Sequence, residues 1–328
     1  MNKTNKYNKS FSIQEQIISG KVKTAKIIKI FESFEKAQIT FEELSGIVQA
    51  TRKHMVDFNI NFDVLDMCGT GGDGLNTFNI SSISALVCAG AGVPVAKHGN
   101  RAASSKFGSA DLFEALGVNI YLNKEQAVRC LEKCGFVFLF APQFHPALKH
   151  VKEARTLFGK KTYFNIIGPM LNPAHAAFQV IGVSDASNAD IIGQSLINTG
   201  SKRATIVHGA KGIDEVSVEG ETIIHEFSSD KTKRKYVIRP RDFDLKEYSL
   251  STLKTRSMKE NVEICKLILE NRAHEPHLNA VLLNAALGML TFGKAKTMRE
   301  GIEIARQSIS SGKVLHKLHE LIAVSNSL

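Results

Sequence analysis

The sequence predicts an α/β protein built on a mostly parallel central sheet, and three observations carry that prediction. After residue 60, apolar runs of strand length alternate with segments of helix length, the order that strand–helix–strand units impose on a parallel sheet. One run, Phe62–Met67, passes straight into the glycine cluster Gly69-Thr-Gly-Gly-Asp-Gly74 and then into a helical segment. Another, Phe136–Phe140, is apolar at every position, as a strand covered on both faces requires.

The first sixty residues read as helices. Ser12 with Glu15 and Thr40 with Glu43 each spell an S/T-x-x-E capping box, and Ile13, Ile17, Ile18 and Phe41, Leu44, Ile47, Val48 keep the helical period behind them. Beyond the glycine cluster, Ile80 to Gly90 reads as a helix rich in small residues, Val93 to Ala96 as a strand and Asp111 to Leu116 as a helix. Lys124 to Cys134 reads as a helix capped by Asn123. Phe178 to Val183 and Ala204 to Val207 read as strands, and Glu221 to Phe227 with Tyr236 to Arg239 as a hairpin around a polar stretch. Ser257 and Glu260 start a helix at Met258, a further helix runs from Pro276 through Met289, and helix continues to about residue 322.

At 328 residues the chain has room for two domains, and 43% hydrophobic with 23% charged residues excludes a disordered or collagen-like chain. The net charge of +10 is local: residues 1–30 hold seven lysines against Glu15, and residues 231–241 hold six basic residues and no acid. The rest is slightly acidic, so the charge does not indicate nucleic acid as a partner. Ile83 to Ala96 falls short of the ~18 apolar residues of a membrane span, and the lysine-dotted start lacks an apolar export core. We therefore expect a cytoplasmic protein without membrane contact. Five cysteines without a CxxC pair, two of them (Cys130, Cys134) one helical turn apart, indicate neither a zinc site nor a disulfide framework.

A strand ending in a glycine-rich turn before a helix suits a phosphate, because backbone N–H groups and the helix N-terminus both face the anion. Gly69-x-Gly71-x-x-Gly74 matches the dinucleotide pattern, but no acidic residue for a nicotinamide ribose occurs between Asp73 and Asp111. No Gly-Lys-Ser/Thr closes the loop as a nucleoside-triphosphate loop would require. The acid-free stretch instead concentrates Asn76, Thr77, Asn79, Ser81, Ser82, Lys97-His-Gly-Asn-Arg101, Ser104, Ser105, Lys106 and Ser109. Such a set fits a ligand with several phosphoryl groups, against the plain alternative of a capped polar turn. A second glycine turn, Val207-His-Gly-Ala-Lys-Gly-Ile, presents Asp214-Glu215. Mg²⁺ binds one or two protein carboxylates plus substrate phosphates, whereas such a pair alone reads as solvated surface.

Taken together, Asp66-Met-Cys-Gly-Thr-Gly-Gly-Asp-Gly74, Thr77-Phe-Asn-Ile-Ser81, Lys97-His-Gly-Asn-Arg101, Gly108-Ser-Ala-Asp111, Phe144-His-Pro146, Arg155 and Asn165-Ile-Ile-Gly-Pro169 resemble the anthranilate phosphoribosyltransferases, in order from about residue 12 to 310. The resemblance implies a small split helical domain (residues 1–61 with a helical return at about 145–165), a large α/β domain (residues 62–328) and a homodimer through the helical domains. It implies transfer of a phosphoribosyl group from 5-phosphoribosyl 1-diphosphate to anthranilate with Mg²⁺, the second step from chorismate to tryptophan. Docking of an anthranilate synthase subunit stays open.

Position by position, the resemblance implies that Gly69, Gly72, Asp73, Thr77, Asn79, Ile80, Ser81 and Ser82 hold the diphosphate and ribose. Lys97, His98, Gly99, Asn100, Arg101, Ala102, Ala103, Ser104, Ser105 and Ser109 complete that pocket. Gly69, Asn100, Arg155 and Gly168 contact anthranilate, and Ser81, Asp214 and Glu215 hold the metal. Arg155 has a physical rationale, since a planar guanidinium pairs bidentately with a benzoate carboxylate. An aniline nitrogen carries a free lone pair, so no strong base must act before attack, and His98 reads as a substrate-contacting or loop-ordering histidine, with a general base as the alternative. Cys68 reads as a small buried residue, with thiol sensitivity as the alternative. Asp111 reads as a cap or a partner of Arg101 or Lys106, and His274, His277, His316 and His319 read as surface. Two rivals remain: a pyrimidine nucleoside phosphorylase of the same fold, against which Asn100-Arg101, the 165–169 run and Asp214-Glu215 count, and a silent relative that binds nucleic acid.

Overall fold

The computed structural model describes residues 3–36, 38–56, 58, 60–102 and 107–328. Three helices lead: α1 (Lys3–Ile18), α2 (Thr24–Lys36) and α3 (Phe41–Arg52). The expected box at Thr40 and Glu43 is present in both directions. The one expected at Ser12 and Glu15 is not: α1 already begins at Lys3, so both residues lie inside it. Packing overrides that local signal. Gly46 of α3 lets the Ser10 turn of α1 approach so closely that a Cβ at Gly46 would sit 2.3 Å from Ser10 Oγ.

Strands and helices then alternate: β1 (Leu65–Gly69), α4 (Ile80–Gly90), β2 (Val95–Gly99), α5 (Ser109–Ala115), α6 (Lys124–Cys134), β3 (Phe136–Phe140), α7 (Ala141–Phe144), α8 (Lys149–Phe158), α9 (Phe164–Ile167), β4 (Phe178–Gly182), α10 (Ala189–Asn198) and β5 (Arg203–Gly209). The hairpin β6 (Thr222–Ser228) and β7 (Lys233–Ile238) follows, then α11 (Met258–Leu269), α12 (Glu275–Phe292), α13 (Met298–Ser310) and α14 (Lys313–Asn326). The caps expected at Asn123 and Ser257 both accept backbone N–H groups.

The sheet has the order β3-β2-β1-β4-β5-β6-β7; β1 to β5 are parallel and the last two strands antiparallel. This is the mostly parallel α/β sheet that the sequence predicts. Side chains alternate between two cores. Val180 and Val207 join the core that α4 and α12 build on one face, and Ile181 and Ile206 join that of α3 and α10 on the other. All five residues of β3 are buried. Helix α8 returns to the leading helices, where Val151 and Ala154 share a core with Ile17, Ile27 and Phe31. The basic run at 231–241 falls largely on β7, the last strand of the sheet, where Lys233, Arg234 and Lys235 are exposed. Charges there keep an open strand edge from pairing with another chain. Among the described residues no helix is long and apolar enough to cross a membrane.

Candidate active site

Strand β1 lies between β2 and β4, where the sheet changes its direction of winding. A crevice opens outside the carboxyl ends of the strands at such a point, and the glycine loop leaves β1 into it. Gly71, Gly72 and Gly74 have φ of +71°, +80° and +71°, with open space around each. Their glycine character therefore serves backbone conformation. The loop is anchored beyond the turn by a bridge between Thr77 and Lys254 and by N–H bonds from Phe78 to Leu253 O (3.0 Å) and from Thr255 to Asn76 O (3.0 Å). Asn79 is held by Asn261 of α11, whose Oδ1 accepts the Asn79 N–H at 3.1 Å and whose amide donates to Asn79 Oδ1. Helix α4 begins at Ile80, and the Ser82 hydroxyl in its first turn is fully buried without a partner among the described residues.

The second turn folds onto the first. Past β5, Asp214 Oδ2 accepts the Gly71 N–H at 2.8 Å and Glu215 Oε1 accepts the Ser81 N–H at 3.2 Å. Two glycines make room for it: a Cβ at Gly69 would lie 2.1 Å from Asp214 Oδ2, and one at Gly182 only 1.6 Å from Asp214 O. Behind the pair, Asn284 of α12 grips Val216 by accepting its N–H (2.8 Å) and donating to its carbonyl (3.0 Å). Desolvation, then the charge of Asp73, pushes Asp214 up to about 7; desolvation, then the charge of Asp214, pushes Glu215 up to about 8. Two carboxylates so placed are short of positive charge and offer the hard oxygen donors that suit Mg²⁺. Two protein carboxylates are the number that Mg²⁺ takes alongside phosphate and water; among the described residues no three His, Cys, Asp or Glu side chains converge on one point.

The end of β2 is fixed from below. Asp66 is fully buried, accepts the His98 N–H at 3.2 Å and an amide N–H of Asn172 at 2.8 Å, and is pushed up to about 6 by burial against the opposing charge of Lys97. Lys97 is also buried, its ammonium donating to Met67 O. The His98 ring meets His145 with Nε2 atoms 3.1 Å apart and bonds the Gly168 carbonyl; burial, His145 and Lys97 depress it well below the usual histidine range. This neutral imidazole links the end of β2 to His145 and to Gly168. Asn100 accepts the Arg101 N–H at 2.8 Å. The Arg101 guanidinium is committed elsewhere, to Asp111 (2.7 Å), Glu114 (2.8 Å) and the Tyr121 hydroxyl. Asp111 is thus the partner of Arg101 that the sequence suggests. The turn through Ser109 closes tightly, since a Cβ at Gly99 would meet Ser109 Oγ at 2.1 Å. Ala103, Ser104, Ser105 and Lys106 lie outside the described residues.

Arg155 sits on α8 with its guanidinium 5.4 Å from the centre of the Phe164 ring, and among the described residues no carboxylate pairs with it. Gly168 opens the turn to Leu171, whose Met170 carbonyl accepts two bonds (2.9 and 2.7 Å) from buried Arg52 of α3. Cys68, expected as a small buried residue, is only half-buried; desolvation and the neighbouring Asp66 push its thiol well up. Gly182, Asn172, Asn261, Asn284 and Arg52 were not singled out from the sequence. Each acts on a partner far away in the chain, and no local pattern marks it.

Comparison with known proteins agrees with this arrangement. The model of a glycosyl transferase family, a/b domain, matches residues 61–315. The anthranilate phosphoribosyltransferase of Dehalococcoides mccartyi is 42% identical over 97% of this chain and 94% of its own length. Among solved structures, the anthranilate phosphoribosyltransferase of Thermus thermophilus superposes with a TM-score of 0.91 at 33% identity, covering 98% of this chain and 95% of that one. The Saccharomyces cerevisiae enzyme in complex with phosphoribosyl diphosphate and Mg gives 0.88 at 28% identity, covering 100% and 94%.

Proposed function

The chain belongs to the anthranilate phosphoribosyltransferases, and on that premise we propose how its residues carry the phosphoribosyl group from 5-phosphoribosyl 1-diphosphate to the amino group of anthranilate. The products are N-(5-phosphoribosyl)anthranilate and diphosphate. One observation carries the assignment of the site: the Asp214-Glu215 turn rests on the glycine loop itself, Asp214 on the Gly71 N–H and Glu215 on the Ser81 N–H.

Breaking the bond from the anomeric carbon leaves positive charge on the sugar and negative charge on the diphosphate, so donors fixed around the diphosphate lower the barrier. The 69–82 loop supplies them through Gly69, Gly72, Asp73, Thr77, Asn79, Ile80, Ser81 and Ser82, aided by the α4 N-terminus. The 97–102 run and Ser109 complete the pocket. In that run Arg101 contributes its backbone, because its guanidinium is occupied by Asp111 and Glu114. Asp214 and Glu215, with Ser81, would hold Mg²⁺, which would supply positive charge against the diphosphate. Buried Lys97 favours the ionised form of Glu215.

Anthranilate is held by its carboxylate on Arg155 and placed by Gly69, Asn100 and Gly168, the last of these fixed by His98. Positioning of the amine against the anomeric carbon then does most of the remaining work. The amine attacks with its own lone pair and sheds its proton to solvent after the bond forms, so a neutral His98 engaged by His145 and Gly168 fits a positioning role better than that of a base. In this reading the helices within residues 1–61, with the return at 145–165, are the small domain and the homodimer contact, and the enzyme works in the cytoplasm. The test is fluorimetric: anthranilate fluorescence falls with time when enzyme, phosphoribosyl diphosphate and Mg²⁺ are all present. No consumption of anthranilate refutes the reading.

A further inference from the structure

We propose that Asn284 is a positioning residue for the Asp214-Glu215 pair, presetting the two carboxylates before any ion arrives. The inference rests on the assignment of that pair to Mg²⁺. Asn284 lies within α12, is only 1% exposed and uses its whole amide. Its Oδ1 accepts the Val216 N–H at 2.8 Å, and its amide N–H groups donate to Val216 O at 3.0 Å and Ala280 O at 2.9 Å. The side chain thus mimics a strand neighbour for the residue directly after Glu215. The bond to Ala280 O, on the same helix, fixes the amide plane, so Val216 is referenced to a helix of the main core.

The loop needs such an anchor. Asp214 and Glu215 are adjacent carboxylates on one turn and repel each other. Left alone, the turn would relieve that repulsion by swinging out to water. The Gly71 and Ser81 N–H groups hold only the side chains from the front; Asn284 holds the backbone from behind. A buried amide with every group satisfied, two of them by one residue of a functional loop, specifies a single loop position, and preset ligands bind an ion more tightly than ligands that must first be ordered.

The experiment compares Asn284→Ser, Asp214→Asn and Leu287→Ala with the wild type. Leu287 is buried on the same helix and has no side-chain atom that can hydrogen-bond the loop, so its truncation reports lost packing without loss of the amide bonds. Two readouts are taken: the Mg²⁺ concentration for half-maximal activity, and the rise in melting temperature that Mg²⁺ with phosphoribosyl diphosphate produces. Asn284→Ser raises the half-saturating Mg²⁺ at least tenfold and removes most of the thermal rise, while the KM for anthranilate at saturating Mg²⁺ stays within threefold. Leu287→Ala lowers the melting temperature without moving the Mg²⁺ response. Equal Mg²⁺ shifts in Asn284→Ser and Leu287→Ala, or none in Asn284→Ser, overturn the inference. An unshifted Asp214→Asn instead overturns the metal assignment beneath it. Hydrogen exchange on the wild type needs no variant: the Val216 amide is protected without Mg²⁺, and exchange at the rate of an open loop contradicts the anchor.

Discussion

Gly182→Ala is the sharpest perturbation of the site, because it changes one methyl group at a residue with no functional atom of its own. Gly182 ends β4, and its φ lies outside the left-handed region, so it is glycine for space. An added Cβ would stand 1.6 Å from the Asp214 carbonyl oxygen and 2.3 Å from its carbon, both backbone atoms. Side chains do not approach closer than 3.0 Å, so one partner must retreat by about 1.4 Å. Gly182 is paired in register with Gly69 on one side and Val207 on the other. The retreat therefore falls on the 210–216 turn. That movement pulls Asp214 from the Gly71 N–H and Glu215 from the Ser81 N–H. A misplacement of ~1 Å costs on the order of 100-fold in rate, and overpacking costs about 1–3 kcal/mol of stability. Gly182→Ala should accordingly stay folded, lose about 100-fold in kcat/KM and need more Mg²⁺ to saturate. Steady-state fluorimetry across a Mg²⁺ series reads both quantities. Activity within threefold of the wild type would refute the close approach on which the site is built.

Two further predictions address the acceptor side and the buried histidines. Arg155→Ala should raise the KM for anthranilate far more than that for phosphoribosyl diphosphate, since Arg155 has no carboxylate partner among the described residues and stacks only on Phe164; equal increases in steady-state kinetics would remove its assignment. Burial depresses His145 from 6.5 to about 4. An unfolded histidine takes its proton near 6.5, so between these values the unfolded state binds more protons and stability falls as pH falls. The loss amounts to at most about 3 kcal/mol, and chemical denaturation of His145→Asn between pH 4 and 6.5 should show a flatter profile than the wild type; an unchanged slope would show that His145 does not carry it.

Much of this arrangement is legible in the sequence because its signals are local. The strand–glycine–helix order around residues 65–90, the box at Thr40 and the caps at Asn123 and Ser257 each lie within a few residues, and each is found where expected. The Asp214-Glu215 pair is meaningful in sequence only beside the phosphate loop, and the fold supplies that neighbourhood by ending β5 near β1. The mistaken box at Ser12 shows the reverse: the residues match, but the contact of Ser10 with Gly46 extends the helix past them. Arg52, Asn261 and Asn284 escape sequence reading because they serve backbone atoms 118, 182 and 68 residues away. Arg101 sits in the expected motif, yet its guanidinium turns to Asp111 and Glu114, a choice that depends on α5 packing beside the loop.

The central claim is that the acidic turn and the glycine loop form one metal-dependent phosphoribosyl site. Calorimetric titration of phosphoribosyl diphosphate with and without Mg²⁺, on the wild type and on Asp214→Asn combined with Glu215→Gln, tests it most directly. The account predicts binding to the wild type that tightens at least tenfold with Mg²⁺ and binding to the double variant that Mg²⁺ leaves unchanged. The same tightening by Mg²⁺ in both proteins would contradict it.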